Sequence, residues 1–341
     1  MKKTVVFPTQ DLSQVAKTFV FMRKLEELYP ETEINVLGTK ENLFPYQVLS
    51  ERYHCFEIPQ EMMTKIGVYK FLYNLNDVFN IETSFDLESS TLTGIMSVTL
   101  RPSRRIGWDK KGGTQRLFYN ERISQGGQKD EQSYLKFLGV ESSNNVEHIN
   151  IYMKQSENSL SSKANSILQE IKEPLICLYP HQFTEYSEEE GRKLISSFYM
   201  ELLEELKDFK VLMFYGGEIP REVEDFTSLK IMPPNPKLVR EALIGCKYTL
   251  TEYEWVSSFM ALEGKPSCFI SSNTGYMAPI FYKQKPAFLK LAEDGPEYFL
   301  NEEGEKKDIM HVSHFVDFIT EYLEEEKKED EDSEEESHSE S

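Results

Sequence analysis

Between Arg101 and Arg122 the chain reads RPSRRIGWDKKGGTQRLFYNER, with seven cations and two acids in 22 residues of a protein whose net charge is −20. The cations are Arg101, Arg104, Arg105, Lys110, Lys111, Arg116 and Arg122, and the acids are Asp109 and Glu121. A local excess of positive charge on an acidic protein can hold an anion such as a phosphate or a phosphorylated sugar. A solvated basic loop around a strand would carry the same run. Arg104, Arg105 and Lys110 are the candidate anion- or acceptor-binding residues. Other reactive types offer less. Cys55, Cys177, Cys246 and Cys268 are far apart with no Cys-x-x-Cys pair, and three of them sit in apolar stretches where a thiol acts as a small hydrophobe. His311 and His314 lie three apart without a third ligand nearby. No metal site is expected, and the thiols point to a reducing compartment.

These residues need elements to hold them. Thr4 to Phe7 predicts a short buried strand. A helix follows over about 13–29, with Val15, Phe19, Met22 and Leu25 on one face, and then a strand from Glu33 to Leu37. Such strand–helix–strand order opens a parallel α/β sheet. Further on, the pattern predicts a helix over 62–76, a strand over 83–87, a helix over 92–100 and a strand over 104–107. The stretch 144–161 is polar and rich in Asn and Ser, which marks a domain boundary. A second α/β pattern begins at Pro174. It predicts strands over 174–179, 210–215, 229–232, 248–250 and 267–270. Helices are predicted over 188–206, 238–245, 256–263 and 311–325. In the helix over 188–206, Leu194, Phe198, Leu202 and Leu206 share a face.

Length and composition set bounds. The 341 residues, 39% hydrophobic and 12% aromatic, suit two domains with real cores. From Glu324 onward, 11 acids stand against two lysines. Such a tail is expected to be disordered and to act as a solubility tail or a docking element. The N-terminus, MKKTVVFPTQ, breaks at Pro8 and is too short in apolar residues for a signal peptide. No window approaches the roughly 18 apolar residues of a membrane span. The expectation is a soluble, cytoplasmic protein with no nucleic-acid partner and at most peripheral membrane contact.

The Arg-Arg-Ile-Gly-aromatic core at 104–108, followed by Asp109-Lys110, resembles the heptosyltransferases that add ADP-heptose to lipopolysaccharide core. The resemblance runs collinearly over nearly all of residues 3–322. Leu12-Ser13-Gln14 falls at that family's Leu-Gly-Asp turn, followed by Arg23, Tyr29-Pro30 and Ile34 at its next matching positions. Phe85-Asp86-Leu87-Glu88 falls near its Tyr/Phe-Asp pair. Leu178-Tyr179-Pro180 matches the strand before its Pro-Gly-Ala turn, and Gly216-Gly217 its Gly-Gly. Ala261 and Gly264-Lys265-Pro266 match the end of its nucleotide-binding helix. The resemblance implies an α/β fold of the GT-B class, two Rossmann-like domains facing a central cleft. Residues 1–150 would form the acceptor-side domain, 151–325 the nucleotide-sugar domain and 326–341 the acidic tail.

The departures fall on the chemistry. Gln14 stands where the family has its proposed general base, and an amide cannot take a proton near neutrality. Ser13 replaces the preceding glycine. The lysine after the Pro-Gly-Ala turn is missing from Pro180 to Glu190. Tyr253-Glu254-Trp255 replaces Asp-Ser/Thr-Gly at the start of the nucleotide-binding helix, and Ser258 replaces its histidine. Substitutes exist. Asp11 could supply a relocated catalytic carboxylate. Glu252 or Glu254 could bind a ribose hydroxyl, and His181 could face a diphosphate, with Gly216 and Gly217 beside it. Each could equally be a surface or helix-capping residue, and Tyr248, Tyr253, Trp255 and Phe259 could be core or a base-stacking platform. The resemblance thus implies one of two things. In the first, the chain keeps the GT-B body as a pseudoenzyme, binding or scaffolding an unidentified protein partner. Alternatively it is an active transferase moving a sugar from a nucleotide-sugar donor, an ADP-sugar by resemblance, to a phosphorylated glycan or lipopolysaccharide-core acceptor, with no other cofactor.

Overall fold

The Thr-Val-Val-Phe run has no polar alternation, the mark of a strand covered on both faces. It forms the buried centre of β1 (Lys3–Phe7). The computed structural model describes residues 3–109, 117–124, 129–140, 175–188, 191–272, 285–292, 295–301, 303–309 and 311–339. The chain divides into two compact units, Met1–Lys154 and Gln155–Ser341. The polar stretch 144–161 and residue Lys110 lie outside the described residues.

In the first unit β1 leads to α1 (Leu12–Leu28), β2 (Glu33–Gly38), α2 (Lys40–Leu49) and β3 (Tyr53–Glu57). The chain continues through α3 (Lys65–Phe79), β4 (Thr83–Asp86), α4 (Thr91–Thr99), β5 (Arg104–Asp109), β6 (Glu121–Ser124) and α5 (Glu131–Leu135). The six strands are all parallel, in the order β3-β2-β1-β4-β5-β6. This is the doubly wound order whose direction reverses between β1 and β4. The predicted face of α1 is buried, and Ala16, Val20 and Phe21 are buried too. Phe21 packs edge-on to Phe85 of the sheet and to Phe137, 5.3 and 6.2 Å between centroids. The helix is therefore covered on two sides, which is why its apolar stripe is wide. Trp108 of β5 is fully buried and makes edge contacts with Tyr134 and Phe137.

The second unit runs β7 (Leu175–Tyr179), β8 (Thr184–Ser187), β9 (Arg192–Ile195), α6 (Ser197–Glu205), β10 (Lys210–Phe214) and β11 (Leu229–Met232). It continues with α7 (Pro236–Gly245), β12 (Tyr248–Thr251), α8 (Glu254–Leu262), β13 (Ser267–Ser271), β14 (Ala287–Ala292), β15 (Gly295–Leu300), β16 (Lys306–Asp308) and α9 (Val312–Ser339). Its main sheet has the order β11-β10-β7-β12-β13-β14-β15-β16. The first six are parallel, and β15 and β16 add an antiparallel edge. Counted from β7, the parallel strands repeat the order of the first unit, with the reversal between β7 and β12. The first turns of α9 place Val312, Phe315, Val316 and Ile319 in this unit's core. That i, i+3, i+4, i+7 spacing lays one stripe on the sheet, and each buried side chain contributes about 1.5–3 kcal/mol.

Two expectations change. The helix predicted over 188–206 begins only at Ser197. Within that stretch Arg192–Ile195 is a strand, paired antiparallel with Thr184–Ser187 just before it. Gly191 (φ +64°) turns the chain in a left-handed conformation that a helix interior lacks. The acidic segment expected to be disordered is instead carried by the backbone of α9 through Ser339. Glu and Lys are strong helix formers, and a helix already docked by Phe315 needs no new nucleus to continue.

Candidate functional site

Open α/β sheets hold ligands outside the carboxyl ends of their strands, where the strand order reverses. Each unit has one such point. In the first unit it lies between the ends of β1 and β4. Asp11 is exposed, directly before α1, and its carbonyl accepts from the Gln14 amide at 2.9 Å. Gln14 is half-buried, and its side-chain Oε1 is buried without a hydrogen-bond partner. Across the reversal, Glu88 Oε2 accepts from the Gln10 amide at 3.1 Å.

Beneath this turn sits Asp86, the last residue of β4, fully buried. Its carboxylate accepts from the Ser89 amide at 2.6 Å and from the Tyr119 hydroxyl at 2.5 Å. Burial pushes the Asp86 pKa up to about 6, against the pull of those hydrogen bonds. Ser89, at φ +51°, accepts the Trp108 amide on its hydroxyl, and the Trp108 indole donates to the Leu87 carbonyl. A Cβ on Gly107 would stand 2.6 Å from the Tyr119 ring, so that position admits no side chain. Asp86 thus organises the 87–89 turn. Its buried strand-end position was visible in the sequence, but its partner Tyr119, 33 residues on, was not.

The basic segment is more committed than its charge count suggested. Arg104 forms a two-point pair with Glu121, at 2.7 and 2.8 Å, across the β5–β6 ladder. Burial opposes this pairing only weakly, and the pair raises the Arg104 pKa and lowers that of Glu121. Arg105 donates to the carbonyls of Phe118 (2.9 Å) and Pro102 (3.3 Å). Arg101 lies over the Tyr73 ring at 5.8 Å. A running sum of charge cannot register that the neighbouring strand supplies the counter-ion.

In the second unit the reversal lies between β7 and β12, and four of its predicted residues meet there. Thr251 Oγ1 and the Glu252 amide both donate to the Tyr179 carbonyl, at 3.1 and 3.2 Å, which ties the two strand ends together. Glu252 Oε2 accepts from two successive backbone amides, His181 (2.6 Å) and Gln182 (2.8 Å). That oxygen of Glu252 is therefore held by the loop rather than offered to a ribose. The Tyr199 hydroxyl was not anticipated from the sequence. It is 2% exposed and faces the Glu252 carboxylate. Burial, and then the negative charge of Glu252, raise its pKa well above the usual phenol range. His181 is exposed, its ring 5.4 Å from that of Tyr253.

The start of α8 is aromatic. Trp255 is 4% exposed and packs edge-on to Tyr179 at 5.8 Å, and Tyr253 lies 5.0 Å from Tyr179. Tyr248 and Phe259 are buried in the core. Glu254 is the first residue of α8, where a carboxylate suits the positive end of the helix dipole. Gly216 and Gly217 follow β10. Gly217 lies against the Tyr215 ring, which leaves no room for a Cβ, whereas Gly216 has ordinary space beside Pro234. Packing alone thus accounts for one glycine of that pair.

Among the described residues no group of three or more His, Cys, Asp or Glu could hold a metal ion. None of their helices is long and apolar enough to cross a membrane. All four cysteines are free thiols.

No known protein family matches the chain by sequence, and no curated protein does either. Solved structures do match it in three dimensions. One is E. coli heptosyltransferase WaaC with ADP-2-deoxy-2-fluoro heptose, at 13% identity over 95% of this chain and 99% of that chain, TM-score 0.58. Another is a glycosyl transferase family 9 protein from Veillonella parvula, at 13% identity over 85% and 86% of the two chains, TM-score 0.55. A third is E. coli ADP-heptose lps heptosyltransferase II, at 15% identity over 86% and 92%, TM-score 0.55. With two Rossmann-like units in the same strand order, the chain has the GT-B α/β fold of these heptosyltransferase structures.

Proposed function

We propose that this chain is a heptosyltransferase-like GT-B protein with weak or absent sugar transfer, which works as a binding or scaffold protein. The observation that supports this reading is the filling of the β7–β12 reversal by the protein's own side chains. Trp255 is buried at the start of α8 against Tyr179 and Tyr253, where a nucleotide diphosphate would meet the helix N-terminus. In the first unit the position expected for a general base is Gln14, and losing general-base help typically costs about 10²–10⁴-fold in rate. The second reading, an active transferase, is favoured by one observation: Asp11 is exposed, within one turn of Gln14. In that reading Asp11 is the base. His181, Gly216, Gly217, Glu252 and Glu254 face the nucleotide, and Arg104, Arg105 and Lys110 face a phosphorylated glycan acceptor.

The test is nucleotide release from ADP-, UDP- and GDP-sugars with lipopolysaccharide-core acceptors. ADP-sugars come first, because the WaaC structure holds an ADP-heptose analogue. The expected result is negligible turnover by the unmodified protein. Gln14→Asp alone should restore little, and Gln14→Asp with Trp255→Gly should restore more. Robust turnover by the unmodified protein, lost in Asp11→Ala, would establish the second reading.

A further inference from the structure

Two of the four free thiols meet inside the second unit. Neighbouring residues of paired strands share a face of the sheet, and successive residues alternate between faces. The register Cys177–Thr249–Ser267 therefore lays three small polar side chains in one row across β7, β12 and β13. All three are buried. Cys246 joins the row from the end of α7, where its N–H donates to the Ala242 carbonyl. Its sulfur lies 3.1 Å from Thr249 Oγ1 and 3.2 Å from the Leu243 carbonyl. It is also hydrogen-bonded to the Cys177 thiol. The other two thiols are elsewhere. Cys268 pairs with Leu250 and packs in the apolar cluster on the opposite face, and Cys55 belongs to the first unit. A buried polar row costs free energy that an apolar row would avoid, and Ser267 Oγ is left without a hydrogen-bond partner. The two sulfurs of the row are not equivalent. Burial opposes a thiolate at Cys246, but hydrogen bonds from Cys177 and Thr249 and the charge of Lys265 outweigh it and lower its pKa. Cys177 gives its hydrogen bond to Cys246 and is buried too, and both effects raise its pKa. One sulfur is thus favoured as the nucleophile and the other as the thiol beside it.

We propose that Cys177 and Cys246 are a redox-active dithiol, which a hydroperoxide converts to a disulfide joining β7 to the end of α7. The Cys246 thiolate attacks the peroxide. An S–O bond forms, the O–O bond breaks, and the departing hydroxide takes up the proton that Cys246 released. The Cys177 sulfur then attacks the resulting sulfenic acid. The S–S bond forms, the S–O bond breaks, and the hydroxyl leaves as water with the Cys177 proton. Two thiols have lost two electrons, and hydrogen peroxide has become two waters. A disulfide is about 2.05 Å long, so thiols already in hydrogen-bond contact close it by side-chain rotation. Both sulfurs are buried, so the oxidant enters when the last turn of α7 opens, helix ends being among the less protected parts of a fold. That makes the reaction slow and confines it to this pair. None of this depends on whether the chain transfers sugar.

Hydrogen peroxide is the probe. The full-length folded protein is treated with it, quenched, alkylated in denaturant and mapped by mass spectrometry without reduction. The Cys177 and Cys246 peptides should be recovered joined, two hydrogens lighter than their sum, while Cys268 is recovered alkylated. Dithiothreitol should return both thiols. The oxidised protein should also have a higher urea midpoint than the reduced one, because joining residues far apart in sequence restricts the unfolded chain. Cys246→Ala should abolish the link and leave Cys177 as a thiol. The mapping of the unmodified protein decides the matter even if that variant does not fold. Recovery of both thiols after Cys55 has been oxidised would overturn the proposal. So would sulfinic acid on Cys246 with no link to Cys177, or a link that forms only when peroxide is added in urea.

Discussion

At the scale of single residues, Asp86 makes the sharpest thermodynamic statement. Its folded pKa of about 6 lies above the roughly 3.9 of an unfolded aspartate, so the folded chain holds that proton more tightly. The resulting stabilisation is complete below about pH 4 and is lost as pH rises through about 6, a change of about 3 kcal/mol. Asp86→Asn can still accept from the Ser89 amide but has no charge to bury. It should flatten the stability profile between about pH 4 and pH 6 and leave the protein more stable than the parent at neutral pH. Urea midpoints measured across that range check this, and an unchanged slope would assign the titration to another group. Gly107 makes a steric statement. Gly107→Ala drives a Cβ into the Tyr119 ring that caps Asp86, and overpacking of this kind costs about 1–3 kcal/mol, readable as a lowered Tm. The residue types at these places could be read from the sequence. Which carboxylate met which donor could not, because Asp86–Tyr119 spans 33 residues and Glu252–His181 spans 71.

At the scale of elements, the strands read best where burial on both faces made them uniformly apolar, as in β1, β7 and β10. The strand β9 read as helix because EEEGRKLI, residues 188–195, is rich in helix formers, and a single glycine outweighed them. The helix α2 escaped notice because Pro45 lies inside it, a residue that removes one backbone donor and ordinarily ends a helix. The last helix has two halves of different physics. Its first turns bury Phe315 against Phe299 at 5.6 Å, whereas nine acids and two lysines occupy 326–341. Phe315→Ala should cost about 3–5 kcal/mol. Truncation after Glu325 should leave the Tm of the second unit within a degree or two, since surface changes away from core contacts are usually within about 0.5 kcal/mol. A large loss on truncation would give the acidic half a structural role.

At the scale of the whole molecule, the chain contains the same doubly wound plan twice, each with its own buried cluster. The restart of the strand–helix alternation at Pro174 made that plan legible without any relative in sequence. Among the described residues, the core of the second unit falls between Leu175 and Leu323. A fragment spanning 155–341 should therefore unfold cooperatively on its own. A broad, non-cooperative transition in circular dichroism would refute that. The chemistry was less legible than the plan, since packing constrains strand order while a few side chains decide what the strand ends hold.

The Glu252 carboxylate that holds the loop after β7 is itself part of the fold. A diffusing ligand competes at its bulk concentration, but a tethered group competes at an effective concentration set by its linkage, millimolar or higher when the connection is short. Proteins that bind a free nucleotide gain stability as its supply rises, by RT ln(1 + [L]/Kd). Here the equivalent contribution is built in, on the residue that directly follows β12. With the reversal filled as proposed above, the protein keeps the same stability whether nucleotide is scarce or abundant.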